Sequence, residues 1–169
     1  MRLALLGVVL LLATACSGTR ATDAATRRRA AAERDGAFAG VQARGEHAMG
    51  VDQYTSTHVF EPLPDGGRIA LQRDAPDSTG AVQIRQHMQR IATAFQAGDF
   101  SLPGFVHAQD VPGTTVMAAK REAITYTVEL VPRGAVVRLW SADPVAVQAI
   151  HDFLAFQRAD HQAAAQPGT

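Results

Sequence analysis

Histidine and methionine are the residues of this chain that are most suited to binding a metal ion. The 169 residues include six histidines and four methionines, and all six histidines follow residue 46. Two histidines lie close to a methionine, in the segments EHAM (residues 46–49) and QHM (residues 86–88). Imidazole and thioether ligands together favour copper, since soft ligands select soft metal ions. The pattern therefore indicates a candidate metal site, with copper as the first candidate and haem as the second.

Three histidines are the first choice as metal ligands. His58 lies on a predicted strand, His87 borders the apolar stripe of a predicted helix, and His107 lies on a predicted loop, where functional groups are commonly carried. The second choices are His47, Met49 and His151. No pair of histidines has the HxxxH or HExxH spacing of a specific zinc motif. Structural histidines that each satisfy a carbonyl or carboxylate therefore remain the alternative.

Recognisable catalytic motifs are missing from the sequence. No GxSxG segment marks a nucleophile, and the glycines of PDGGR and PGTT fit turns better than a phosphate-binding loop. We therefore predict no catalytic residue and favour binding over an enzyme activity. A hydrolase is the third hypothesis, and it predicts a concave pocket holding a histidine hydrogen-bonded to Asp, Glu or Ser.

The single cysteine ends an apolar run in the segment LLATACSG, residues 11–18. The uncharged run from Leu3 to Ala13 follows one arginine. It is shorter than the roughly 20 residues of a membrane span and matches the apolar core of a secretory signal. Residues 13–16, Ala-Thr-Ala-Cys, resemble the lipobox of bacterial lipoproteins, although Ala13 replaces the usual Leu. A secreted protein with a chance cysteine is the alternative.

The lipoprotein resemblance has several implications. It implies a signal peptide over residues 1–15, lipidation of Cys16, and export to a membrane to which the lipid anchors the chain. Ser17 resembles the residue that directs sorting to the outer membrane, facing the periplasm. A lipidated Cys16 leaves no thiol for a disulfide, an iron–sulfur cluster or a thiolate zinc site.

Residues 16–36 are polar and alanine-rich, and they contain no large apolar side chain. Such a segment cannot bury enough surface to offset its ordering entropy, so we predict a flexible tether in which a transient helix can form. The 16 basic and 16 acidic residues of the chain balance, which leaves no broad basic field. We therefore predict no nucleic-acid partner.

Residues 37–161 are predicted to form a single domain, followed by a disordered tail over 162–169. Alternating apolar residues predict strands on either side of two turns, in THVFEPLPDGGRIALQR and in AITYTVELVPRGAVVRLW. Apolar residues at helical spacing, including Ile84, Met88, Ile91 and Phe95, predict a helix after each pair of strands. The segment FSLPGFVHAQDVPGTT is expected to be a loop, and TTVMAAKR a short helix.

These elements predict a two-layer α+β domain with an antiparallel four-stranded sheet and two main helices. Both halves have the order strand–strand–helix, and AVQIRQH in one helix is similar to AVQAIH in the other. The repeat suggests an internal duplication, with chance similarity as the alternative.

Four segments resemble parts of a family of uncharacterised bacterial proteins. They are MGVDQYTSTHVF, IRQHMQRIATAFQAGDF, PGFVHAQDVPGTTVM and IHDFLAFQRADH, which span residues 49–161. The resemblance implies a complete domain but no activity. We therefore expect a lipid-anchored envelope protein whose α+β domain binds a small ligand, such as copper, or a partner. A structural or assembly lipoprotein without a ligand, working with another envelope protein, is the alternative.

Overall fold

The structure is a computed structural model, and it describes residues 17–50 and 53–163 of the chain. The predicted signal peptide, Cys16 and most of the predicted tail lie outside these residues. The described helices include none that is both long and apolar enough to cross a bilayer.

The chain divides into two compact units, residues 1–36 and 37–169. Helix α1, Ser17–Met49, begins in the first unit and ends in the second. Within the first unit, Arg29 and Glu33 form an exposed ion pair at 2.9 Å, one helical turn apart. Alanine and arginine are strong helix formers, which accounts for a helix in the segment predicted as a tether. Its role as a tether stays a prediction.

The second unit contains the antiparallel four-stranded sheet that the sequence predicts. Its strands are β1 (Ser56–Leu63), β2 (Gly66–Arg73), β3 (Thr125–Val131) and β4 (Gly134–Trp140), in the spatial order β1-β2-β4-β3. Tight turns join β1 to β2 and β3 to β4, and the two hairpins meet where β2 pairs with β4. The hairpin connections explain the antiparallel pairing, because parallel strands need long crossovers.

Two long helices cover one face of the sheet. Helix α2 (Ser78–Gln96) packs mainly on β3 and β4, whereas α5 (Pro144–Asp160) packs on β1 and β2. Each helix therefore lies on the strands of the other half of the chain. Asp77 caps α2 by accepting a hydrogen bond from the Gly80 amide at 3.0 Å, and Asp143 caps α5 through the Val145 amide at 2.8 Å. The two-layer α+β prediction is confirmed, whereas the duplication stays a prediction.

The core lies between the sheet and these two helices. The stripe predicted on α2 is buried, as are Ile150, Phe153 and Leu154 on α5. They pack against the inner face of the sheet, which consists mainly of Phe60, Ile69, Leu71, Ala135, Val137 and Leu139. Burial of this face gives the pairing its register, since a slip of one residue would expose every one of these side chains.

The predicted loop between the halves was wrong for residues 101–107. These residues form helix α3, Ser101–His107, and α4 follows at Thr114–Ala119, where a short helix was expected. Pro103 and Gly104 suggested a turn, but Pro103 lies in the first turn of α3, where a missing amide donor costs little. Burial of Pro103, Val106 and His107 stabilises the helix. Arg44 Nε also donates to the Val106 carbonyl at 2.7 Å and joins the end of α1 to α3.

Candidate functional site: a histidine-lined cavity

A cavity of about 80 Å³ lies within the second unit, between the inner face of the sheet and the helices. Four of the six histidines line it, on different elements: His58, His87, His107 and His161. Two methionine thioethers, from Met49 and Met88, and the amide of Gln157 also line it. The remaining lining residues described are apolar or glycine, so no carboxylate, hydroxyl or ammonium group faces the cavity from them.

Tertiary packing brings these side chains together. His58 lies on β1, His87 on α2, and His107 is the last residue of α3. His161 follows directly after α5, and Met49 is the last residue of α1. The cavity is therefore enclosed by parts of the chain that are far apart in sequence, and its composition depends on how the helix ends pack.

His87 is a buried imidazole with one nitrogen unpaired. The residue is 7% exposed, and its Nδ1 is buried without a hydrogen-bond partner. Burial, followed by the positive charge of Arg90, lowers the pKa of His87 to about 4, against the opposing effect of the Ala48 backbone. Because a neutral imidazole donates from one nitrogen, the other carries a lone pair that can accept a proton or bind a metal.

His58 and His161 form a stacked pair in the cavity. Their ring centroids lie 5.1 Å apart, and Phe60 stacks on both rings. Burial and then the charge of His87 lower the pKa of His58 to about 4. Burial, followed by His58 and His107, lowers the pKa of His161 to about 3, against the opposing effect of Asp160. Both imidazoles are therefore neutral at neutral pH, and His161 Nδ1 is also buried without a hydrogen-bond partner.

His107 is held on both sides by α5. Its Nδ1 donates to the carboxylate of Asp160, and its Nε2 lies 2.9 Å from Gln157 Oε1. The ring also makes an edge contact with His161, with centroids 5.0 Å apart. A histidine fixed by a carboxylate is common both in metal centres and in acid–base catalysis, so the pair alone does not distinguish the two.

The structure brings all three first-choice histidines, His58, His87 and His107, to one cavity. Among the second choices, Met49 joins them. His47 is exposed and contacts Phe105, and the Nε2 of His151 donates to the Leu63 carbonyl at 2.9 Å. The latter bond is the ordinary structural role that the sequence left open.

Two cavity residues were missed as site residues from the sequence. His161 was not selected, although it follows Asp160 at the end of an amphipathic helix. Met88 was interpreted as core packing, and it is both part of the core and part of the cavity wall. Only the adjacent Asp160, an acceptor for an imidazole, could have drawn attention to this end of α5.

The histidines do not form a preassembled polydentate metal site. Within residues 17–50 and 53–163, no group of three or more His, Cys, Asp or Glu side chains is placed to hold a metal ion together. The histidines chosen as metal ligands therefore share a cavity, and their role in binding a metal stays a prediction.

Comparison of the chain with protein-family models, with curated proteins and with solved structures gave no match. The resemblances to bacterial lipoproteins and to a family of uncharacterised bacterial proteins stay predictions. The chemistry of the cavity is therefore the basis for inferring a function.

Proposed function

We propose that the protein is an exported lipoprotein, anchored in the outer membrane through Cys16, whose α+β domain binds copper in the histidine-lined cavity. The observation that carries the binding proposal is the convergence of four imidazoles and two thioethers on one cavity. These are the soft and intermediate ligands that copper prefers. The resemblance of residues 13–16 to a lipobox supports the anchor.

The electrostatics of the cavity favour this kind of ligand over others. Magnesium and calcium require oxygen ligands, and the described lining offers only the amide of Gln157 as a side-chain oxygen. An anion would need a cationic partner, whereas His58, His87 and His161 are neutral at neutral pH. Neutral imidazoles are the form that binds metals.

The contact behind one histidine also suits metal binding. Metal-binding histidines usually have one ring nitrogen engaged by a carbonyl or carboxylate, which orients the ring and raises its basicity. The backbone of Ala48 interacts with His87 in this way and leaves its Nδ1 open, whereas both ring nitrogens of His107 are engaged, by Asp160 and Gln157. The cavity of about 80 Å³ has room for a single ion and is far too small for a haem.

Metal titration of the full chain, purified in detergent, tests the binding proposal. We expect copper to bind with submicromolar affinity, and the triple change His58→Gln, His87→Gln and His107→Gln to abolish binding. His47→Gln is the matched control, because this histidine is exposed and outside the cavity. Competition with a chelator of known affinity measures the constants. Binding weaker than micromolar for copper and zinc would instead favour the lipoprotein without a ligand.

Fractionation of cells tests the anchor. We expect the wild-type chain in the outer-membrane fraction, with an acylated Cys16 at its N-terminus by mass spectrometry. The change Cys16→Ser removes the acceptor sulfur, so this variant should lose the lipid and its mature form should leave the membrane. Ser17→Ala is the control and should still be lipidated. An unmodified sulfur in the wild-type chain, or retention of residues 1–15, would contradict the proposal.

The pair His107–Asp160 is the one observation that favours an enzyme, since a pocket holding such a pair is what the hydrolase hypothesis predicts. Its chemistry is incomplete, however, because Gln157 occupies the Nε2 of His107. The described lining also includes no Ser, Thr, Cys or Lys side chain that the histidine could activate as a nucleophile. Metal binding therefore explains the cavity better than hydrolysis does.

A further inference from the structure

We infer that the cavity binds copper as Cu(I), through Nδ1 of His87 and the thioether of Met49. This inference rests on the proposed function and deepens it by naming the oxidation state and the donor atoms. It starts from the wall of the cavity at which α1 and α2 meet.

Both donors belong to this wall. His87 interacts with the backbone of Ala48, and Met49 is the next residue along α1. Met49 is 6% exposed, His87 is 7% exposed, and both line the same cavity. The Nδ1 of His87 is buried without a hydrogen-bond partner, and leaving such an atom unpaired in the interior destabilises the folded protein. A bound ion would give this nitrogen a partner.

The number of available ligands favours the monovalent ion. Zn(II) is almost always held by four ligands, of which at least three come from the protein. In the described part of the chain, no set of three His, Cys, Asp or Glu side chains is placed to act together. Cu(I) has a filled d shell and accepts two or three ligands, and it is the ion that thioethers select. An imidazole with a thioether therefore suits Cu(I) better than Zn(II) or Cu(II).

The charge of the cavity lining also favours Cu(I) over a divalent ion. No carboxylate is present among its described lining residues, and Asp160 reaches it only through His107. The cost of moving an ion out of water grows with the square of its charge, so a divalent ion costs about four times as much by the Born relation. Without a lining carboxylate to offset that cost, the cavity disfavours Cu(II) and Zn(II).

An anaerobic titration of the full chain in detergent tests the inference, with a Cu(I) chelator in competition and parallel titrations with Cu(II) and Zn(II). We expect Cu(I) to bind roughly 100-fold or more tightly than either divalent ion. Loss of a residue that only orients a ligand costs about 10–100-fold in affinity. Loss of a ligand itself should exceed this, so Met49→Leu and His87→Gln should each weaken Cu(I) binding by roughly 100-fold or more. X-ray absorption of the Cu(I) form should show nitrogen and sulfur neighbours, and Met49→Leu should remove the sulfur.

Met117→Leu is the matched control, because Met117 is fully buried but does not line the cavity. Replacement of Met by Leu conserves volume and is usually well tolerated, so both variants should fold, which circular dichroism checks. Equal or tighter binding of Cu(II) or Zn(II) would overturn the inference and leave copper or metal binding intact. Loss of Cu(I) binding in Met88→Leu but not in Met49→Leu would overturn the donor assignment. No binding of any ion would overturn the proposed function as well.

Discussion

The free energy of unfolding of the metal-free protein is expected to fall steeply as the pH drops from 6.5 towards 4. Three cavity histidines have pKa values lowered from 6.5 in the folded state, to about 4 for His58 and His87 and to about 3 for His161. Between these values the unfolded chain binds protons that the folded chain does not. The contribution of these three histidines to the free energy of unfolding is therefore fully present above about pH 6.5, and it is lost as the pH falls towards their folded-state pKa values.

The size of this effect follows from the shifts. One pKa unit corresponds to about 1.4 kcal/mol, so between pH 6.5 and pH 4 each of these histidines contributes up to about 3 kcal/mol. The contributions overlap, because the charges of His58, His87 and His161 lower one another's pKa values in part. A combined loss of several kcal/mol is expected, which is a large part of the about 5–15 kcal/mol that stabilises a typical domain.

Urea unfolding between pH 7.5 and pH 4, with a chelator present, measures this loss. The change His161→Asn should flatten the pH dependence, because its imidazole has the lowest pKa of the three and the asparagine cannot titrate. The exposed His47 serves as the control, and His47→Gln should keep the slope of the wild type. An unchanged free energy of unfolding down to pH 4.5 would contradict the burial of neutral histidines.

The change Gly113→Ala is expected to destabilise the domain by about 3 kcal/mol or more. Gly113 precedes α4 with φ at 82°, a left-handed conformation that costs other residues about 1–2 kcal/mol. A Cβ atom there would also overlap the carbonyl oxygen of Ala149 on α5 and lie 3.1 Å from the Phe153 amide nitrogen. Relief of this overlap must move the backbone of a buried helix, and overpacking of this kind costs about 1–3 kcal/mol.

Gly104→Ala is the matched control for this substitution. Gly104 is a helical residue of α3, and the nearest atom to an added Cβ, the Gln109 carbonyl oxygen, would be 4.0 Å away. Alanine is favoured over glycine in helices by about 1 kcal/mol, so this variant should be as stable as the wild type or more so. Urea-unfolding midpoints compare the two variants. Equal midpoints would show that the contact between α4 and α5 is looser than the structure has it.

Elements with strong local periodicity could be predicted from the sequence. The alternation around Pro64 and Asp65 specifies β1 and β2, and the spacing of Ile84, Met88 and Ile91 specifies the buried stripe of α2. These patterns predict the elements correctly because the residues involved lie within a few positions of one another in the sequence. Helix α3 was missed, because its local sequence favours a turn and its stability comes from burial against other parts of the chain.

The sequence by itself determined the class of the fold and the chemical types at the cavity, since alternation, helical spacing and turn residues are local and the imidazoles and thioethers are visible in the chain. Only the tertiary structure decided which of these side chains meet. His107 and Asp160 are 53 residues apart, and Arg44 reaches Val106 over 62 residues. Such contacts depend on how separate helix ends pack on the sheet. Burial of the whole core determines this packing, and no short segment of the sequence encodes it.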